Sequence, residues 1–255
     1  MARECLFCGN PSGSREHMFP DWLNHVFDDL PGEVDDSEPS RWQQGTVDFE
    51  SGEQLQRGWN KKQIASLITR EVCHECNTGW MHDLEDRAAP ILKPMIRGNP
   101  HTLDLDQQII VATWATKTAM VIEPTLDRRV NFSLEQRQIV MNDDRPPGPF
   151  RVRAAAIEDM IPPLRYSCVR GQVQRNGAPF FDFHYYTLQI HVLVLQVIRT
   201  EPPPPNFGAL KELAVPTDFE VPLFPPIDGF FWPPKDSFNN ETLNQYVGRL
   251  QIDPP

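Results

Sequence analysis

Nowhere does the sequence hold an apolar run near the roughly eighteen residues that a membrane-spanning helix needs, so no such helix is expected. Residues 1–8 lack the apolar stretch that marks a secretory leader, which makes the reducing cytoplasm the expected compartment. Basic residues are in deficit, with 24 Lys and Arg against 35 Asp and Glu and a formal net charge of −11. This argues against a protein that coats nucleic acid indiscriminately, because such binding needs surplus positive charge to displace counterions. A local positive field survives that objection, since net charge describes the whole surface and a bound metal can dominate one spot. No internal repeat is visible. Cysteine is scarce, at five residues, and its placement is informative.

With 255 residues, 40% hydrophobic and 23% charged, the chain has the make-up of a soluble globular protein of one large or two small domains. Four of the five cysteines form two pairs, Cys5-x-x-Cys8 and Cys73-x-x-Cys76, separated by 64 residues. Each pair can form a tight knuckle that aims two thiolates at one ion, and two knuckles complete the tetrahedron of a structural zinc. Two unrelated thiol pairs, or redox-active C-x-x-C motifs, are the alternatives. His74, inside the second knuckle, is expected to face solvent. Cys168 stands alone in a strand pattern, where a small buried apolar role is expected.

Along the chain, residues 20–27 read as a short helix, with Pro20 near its start. Residues 28–38 are acidic and turn-rich, which predicts a surface loop. A strand is expected over 63–72, then a helix from Asn77 until Pro94 ends it. Composition suggests a boundary near Gly98, giving an N-terminal unit over 1–98, with an insertion at about 21–60, and a second unit over 99–255. The second opens on a long helix over 105–122, apolar nearly all round and so central to a core. Ser133 with Gln136 three residues on forms a capping-box pattern, opening a helix to about Asn142. Residues 151–199 are strand-rich, and Asn176-Gly177 predicts a hairpin between 166–175 and 180–198. The expected class is α+β.

Chemistry-capable residues gather around the cysteine pairs. Between the pairs stands Arg15-Glu16-His17-Met18-Phe19-Pro20, and Asn77 directly follows Cys76. An imidazole that titrates near neutrality, as at His17, suits a general base. The carboxylate of Glu16 and the side-chain carbonyl of Asn77 are oxygen donors of the kind that hard divalent cations prefer. A helix-entry turn at Glu16-His17, and an N-cap at Asn77, are the plainer readings. Arg15, Lys61, Lys62 and Arg70 flank these residues and are candidate phosphate contacts, or otherwise a solvated face. Trp22, Trp59 and Trp80 read as packing, and His82 and Glu85 as a solvated helix face.

The order C-x2-C, acidic-His-x-x-Pro, C-x2-C-Asn resembles the zinc-stapled branch of the His-Asn-His (ββα-metal) endonucleases, the branch of the phage Holliday-junction resolving endonuclease. The resemblance covers residues 1–98. It implies a treble-clef-like ββα unit with zinc on Cys5, Cys8, Cys73 and Cys76. By motif position, Glu16 resembles the metal-binding acid, His17 the general base and Asn77 the second ligand to a catalytic Mg²⁺ or Mn²⁺. The implied activity is hydrolysis of phosphodiester bonds, most readily in DNA, in a bacterial or phage setting such as genome defence. Residues 99–255 would then target, oligomerise or contact a partner protein. A junction-selective nuclease, or a non-catalytic zinc module that binds protein or nucleic acid, are the competing expectations.

Overall fold

The computed structural model describes residues 3–28, 42–48, 54–59, 68–126, 131–158, 164–175, 178–201 and 219–243. Most of the expected acidic loop, Lys61, Lys62 and the Asn176-Gly177 pair lie outside these residues. The architecture is α+β, as expected.

The N-terminal part begins with the first cysteine knuckle and a two-residue strand, β1 (Glu16–His17), followed by α1 (Trp22–Asp28). Strand β4 (Ile68–Thr69) lies antiparallel to β1, pairing Glu16 with Thr69 and His17 with Ile68. Of the strand expected over 63–72, these two residues are the part seen among the described residues.

After a helical turn at His74–Cys76, residues Asn77–Met81 form a wider π turn, kinked at Gly79 (φ −100°, ψ −117°). Helix α2 (His82–Ile96) follows. A regular helix does not start at Asn77, nor does Pro94 end one: both Pro90 and Pro94 lie inside α2. Each internal proline costs about 3 kcal/mol. Against that, α2 buries Leu84, Ile91, Leu92, Met95 and Ile96, each stabilising by roughly 1.5–3 kcal/mol. Burial wins. The helix stops instead at Gly98, whose φ of +73° lets Gly98 N–H donate to Met95 O and Asn99 N–H to Pro94 O, a Schellman cap.

Beyond β5 (His101–Leu103), helix α3 (Leu105–Leu126) extends past the expected 105–122 and is buried along most of its length. It packs between α2 and strands of the main sheet. Two of its buried threonines return their hydroxyls to the preceding turn, Thr113 to Ile109 O at 2.7 Å and Thr116 to Ala112 O at 2.8 Å. Helix α4 (Leu134–Asp143) opens on the expected capping box of Ser133 and Gln136.

Seven strands form the main sheet: β2 (Trp42–Asp48), β3 (Gln54–Trp59), β6 (Arg151–Ala156), β7 (Leu164–Arg175), β8 (Ala178–Ile190), β9 (Leu193–Glu201) and β10 (Glu220–Phe224). Their order is β10-β6-β9-β8-β7-β2-β3, antiparallel throughout except where β2 runs parallel to β7. The insertion between the cysteine pairs therefore supplies two strands to a sheet otherwise built from residues after 150. A last short strand, β11 (Phe230–Trp232), pairs with β5.

β7 and β8 are the expected hairpin partners, with Arg175 opposite Ala178. The single strand expected over 180–198 is two. The chain turns at His191, which adopts φ +52° without the Gly or Asn that usually signals such a turn. The imidazole helps hold it: Nδ1 donates to Ile96 O, at the end of α2, across 2.9 Å. One face of the sheet receives α3, while Phe238 and Leu243 cover Ala155 and Val194 on the other. Buried apolar side chains on both sides of Gly98, from Phe7 to Trp232, belong to one continuous core.

Candidate functional site

The first knuckle closes with Gly9 N–H donating to Cys5 O (3.0 Å) and Cys5 N–H to Asn10 O (2.7 Å), and Gly9 takes the positive φ (+76°) that the turn requires. In the second, Cys73 is extended (φ −81°, ψ 165°) and its sulfur accepts from Cys76 N–H at 3.4 Å. Backbone bonds tie the knuckles together: Leu6 N–H to Glu71 O (2.8 Å), and the amides of Gly13 and Ser14 to Val72 O.

The four sulfurs of Cys5, Cys8, Cys73 and Cys76 consequently lie within 4.8 Å of one another, with Cys8 and Cys73 at 3.5 Å. A tetrahedral ion with metal–sulfur bonds of about 2.3 Å sets its ligands about 3.8 Å apart, so this geometry fits a four-cysteine metal site. Burial pushes the Cys73 thiol up to about 11 and Cys76 higher still. Cys5, against the same burial, is held below its ordinary value by backbone amides of Cys8, Phe7 and Cys73. Buried sulfurs that receive amide N–H groups yet resist ionising alone are stabilised as thiolates by a divalent cation.

Trp80 packs edge-on against Phe7 (4.9 Å, 75°), as its packing reading expected. Trp22 lies against Trp114, again as packing. His74 is exposed and Cys168 buried, both as expected.

Asn77 reaches back to the segment before β1. Its Nδ2 donates to Ser14 Oγ at 2.7 Å and, at the 3.5 Å limit, to Arg15 O. With Nδ2 as the donor to both, the side-chain oxygen Oδ1 is used by neither contact. Arg15 and Arg70 are both exposed, immediately before Glu16 and immediately after its partner Thr69. Two arginines therefore flank one end of the β1–β4 pair.

Alternation along β1 separates its two residues. His17 is exposed, whereas Glu16 is 5% exposed and points inward. Glu16 Oε1 is 3.9 Å from the ammonium of Lys117 on α3, and Lys117 in turn is 2.6 Å from Glu85 Oε1 on α2. Burial raises the Glu16 carboxyl to about 7; Lys117 pulls it down and Glu85 pushes it up. Glu85 is thus not on the solvated face expected for it. It is partly buried and pairs with Lys117, which also faces Glu16. His82 does occupy that face, exposed beside Asp86.

Sequence reasoning missed Lys117. The available signal was a single charged residue inside the apolar run 109–122. Among the described residues, the four cysteines are the cluster of His, Cys, Asp or Glu side chains arranged to hold a metal ion, and no helix is long and apolar enough to cross a membrane. No protein-family model, curated protein or solved structure matches the chain.

Proposed function

We propose that this protein is a zinc-stapled, metal-dependent endonuclease of the ββα-metal kind, hydrolysing phosphodiester bonds of DNA. The observation that carries the reading is the placement of Asn77. The four-cysteine cluster pins the start of the turn at Asn77 beside β1, and the amide directs its N–H groups to Ser14 and Arg15 so that Oδ1 is available as a ligand. Two short antiparallel strands and a following helix are consistent with the order of a ββα unit, and the proposal includes a treble-clef-like arrangement around zinc.

Asn77 and Glu16 would hold a Mg²⁺ or Mn²⁺ ion, Glu16 by turning from Lys117 toward solvent, and the ion would supply positive charge to the phosphate oxygens. His17, exposed on the outer face of β1, takes a proton from water as the water oxygen bonds to phosphorus and the opposite P–O bond breaks. Arg15 and Arg70 orient the phosphate by charge. The sulfur cluster suits a protein working in a reducing cytoplasm. Residues 99–255 are the part available for a partner or a second copy.

Purified protein with Mn²⁺ should nick supercoiled plasmid. His17→Ala should lose roughly 10²–10⁴-fold of that rate, with zinc content and melting temperature unchanged because the ring is exposed. A four-way junction cut in preference to linear duplex would refine the substrate to branched DNA. Metal-loaded protein that cleaves neither DNA nor RNA would leave the second reading, a non-catalytic zinc module. The inward turn of Glu16 toward Lys117 and the net charge of −11 favour that module.

A further inference from the structure

Where β5 runs into α3, the surface carries apolar side chains that the core does not use. Phe231 is 57% exposed, Leu105 45% and Ile227 37%, and these are three of the four large apolar side chains that stand exposed among the described residues. A lone exposed leucine is ordinary, but three such side chains on adjoining segments are not. Strand alternation in β11 accounts for the first. Phe230 and Trp232 turn into the core, which sends Phe231 outward, opposite Thr102 of β5. Leu105 follows three residues after Thr102, at the start of α3.

A buried glutamine fixes the third. Gln108 Nε2 donates to Ile227 O at 2.9 Å and to Leu103 O at 3.2 Å, and Gln108 Oε1 accepts from Ile227 N–H at 2.9 Å. Gln108 lies one turn along α3 from Leu105, so its side chain holds the Ile227 loop beside the start of the helix. The patch is therefore ordered before anything binds, which lowers the entropy cost of docking. Its rim is acidic. Asp104, Asp106 and Asp228 are exposed, against one exposed cation close in sequence, Lys235. Asp104 caps α3 by accepting from Gln107 N–H at 2.8 Å. Asp106 and Asp228 enter no ion pair among the described residues.

We propose that the patch of Leu105, Ile227 and Phe231 is a docking site for a partner protein that presents apolar side chains flanked by Lys or Arg. Apolar contact supplies the affinity, and the carboxylate rim selects the sign of the partner's charge. The same rim disfavours a second copy of this chain, with its net charge of −11, and repels an anionic lipid or nucleic-acid surface. No residue of the proposed hydrolytic site takes part, so the docking site stands whether or not that site cuts DNA.

The test is fluorescence anisotropy of a labelled synthetic helix, with Leu along one stripe and Lys elsewhere, titrated with the full-length, zinc-loaded protein. Two analogues run beside it, one with every Leu changed to Ser and one with every Lys changed to Glu. Only the Leu/Lys peptide should bind. The double variant Phe231→Ser with Leu105→Ser should weaken binding about tenfold or more, with an unchanged melting temperature because both side chains are exposed. Asp106→Asn with Asp228→Asn should weaken it less and flatten its dependence on salt. On the wild-type protein, the peptide should slow amide exchange at 101–106 and 226–232. Absence of binding overturns the proposal, as does equal binding by the apolar double variant or protection confined to another part of the surface. Self-association, or adsorption to phosphatidylserine vesicles, that the apolar double variant abolishes would overturn it in favour of a second copy or a membrane.

Discussion

The side chain of Asn77 is hydrogen bonded to Ser14, 63 positions earlier in the chain, across 2.7 Å. That contact joins the turn leaving the second knuckle to the segment entering β1, and it orients the amide on which the proposed metal site depends. Ser14→Ala should cost about 1 kcal/mol of stability and lower divalent-dependent cleavage only partly. Asn77→Ala should lower cleavage about 10²-fold or more, because the oxygen ligand goes with the orienting bond. Equal, small effects of both substitutions would reduce Asn77 to a structural tie.

The sulfur cluster should hold one zinc per chain, measurable by elemental analysis. Cys73→Ser should lose the metal and the cooperative melt together, because the knuckles share backbone bonds as well as sulfur ligands. Cys168→Ala should retain the zinc, since that thiol lies in β7, outside the cluster. Zinc retained by Cys73→Ser would contradict the tetrathiolate assignment.

His184 should make the fold acid-sensitive. Burial first, and the guanidinium of Arg199 second, lower its pKa from 6.5 to about 4. A depressed folded-state pKa means the unfolded chain binds the proton more readily. The stability His184 contributes is therefore fully present above about 6.5 and is lost as pH falls toward 4, at up to about 1.4 kcal/mol per pH unit. Denaturant unfolding of wild type and His184→Gln over that window should show a shallower slope in the variant. Parallel slopes would assign the acid sensitivity elsewhere.

Arg137 and Glu123 form a deeply buried pair, Nη2 to Oε2 at 2.8 Å, each side chain 2% exposed. Glu123 also accepts from Tyr186 Oη and from the amide of Asn131. Arg137→Met should destabilise by about 3–5 kcal/mol, because it strands a buried carboxylate. Adding Glu123→Gln should recover part of the loss, read from urea midpoints. A single variant as stable as wild type would show that the carboxylate finds relief from another group.

The parts of the molecule that announce themselves in sequence are those with local causes. Cysteine spacing predicted the cluster because two-residue knuckles are short-range geometry. The capping box at Ser133 and Gln136 and the start of α3 at Leu105 were legible for the same reason. What stayed hidden depends on distant partners. His191 turns the chain because Ile96 O accepts its Nδ1 proton, and Glu85 faces inward because Lys117 waits there. The prolines of α2 suggested an ending that burial overrode. Glu16 and His17 could be paired as neighbours in sequence, but strand alternation sends one into the core and the other to solvent.

The parallel contact of β2 with β7 reaches beyond architecture. Gln43 and its neighbours find their backbone partners at Arg165 and beyond, and those are synthesised long after both sulfur pairs have left the ribosome. The cysteines can capture their ion early, but the segment looped between them must wait, unpaired on that side, until translation has delivered the second half. A gene fragment ending near Gly98 would therefore encode a chain with an open strand edge, prone to sticking to its own copies and poorly suited to serve as a portable module.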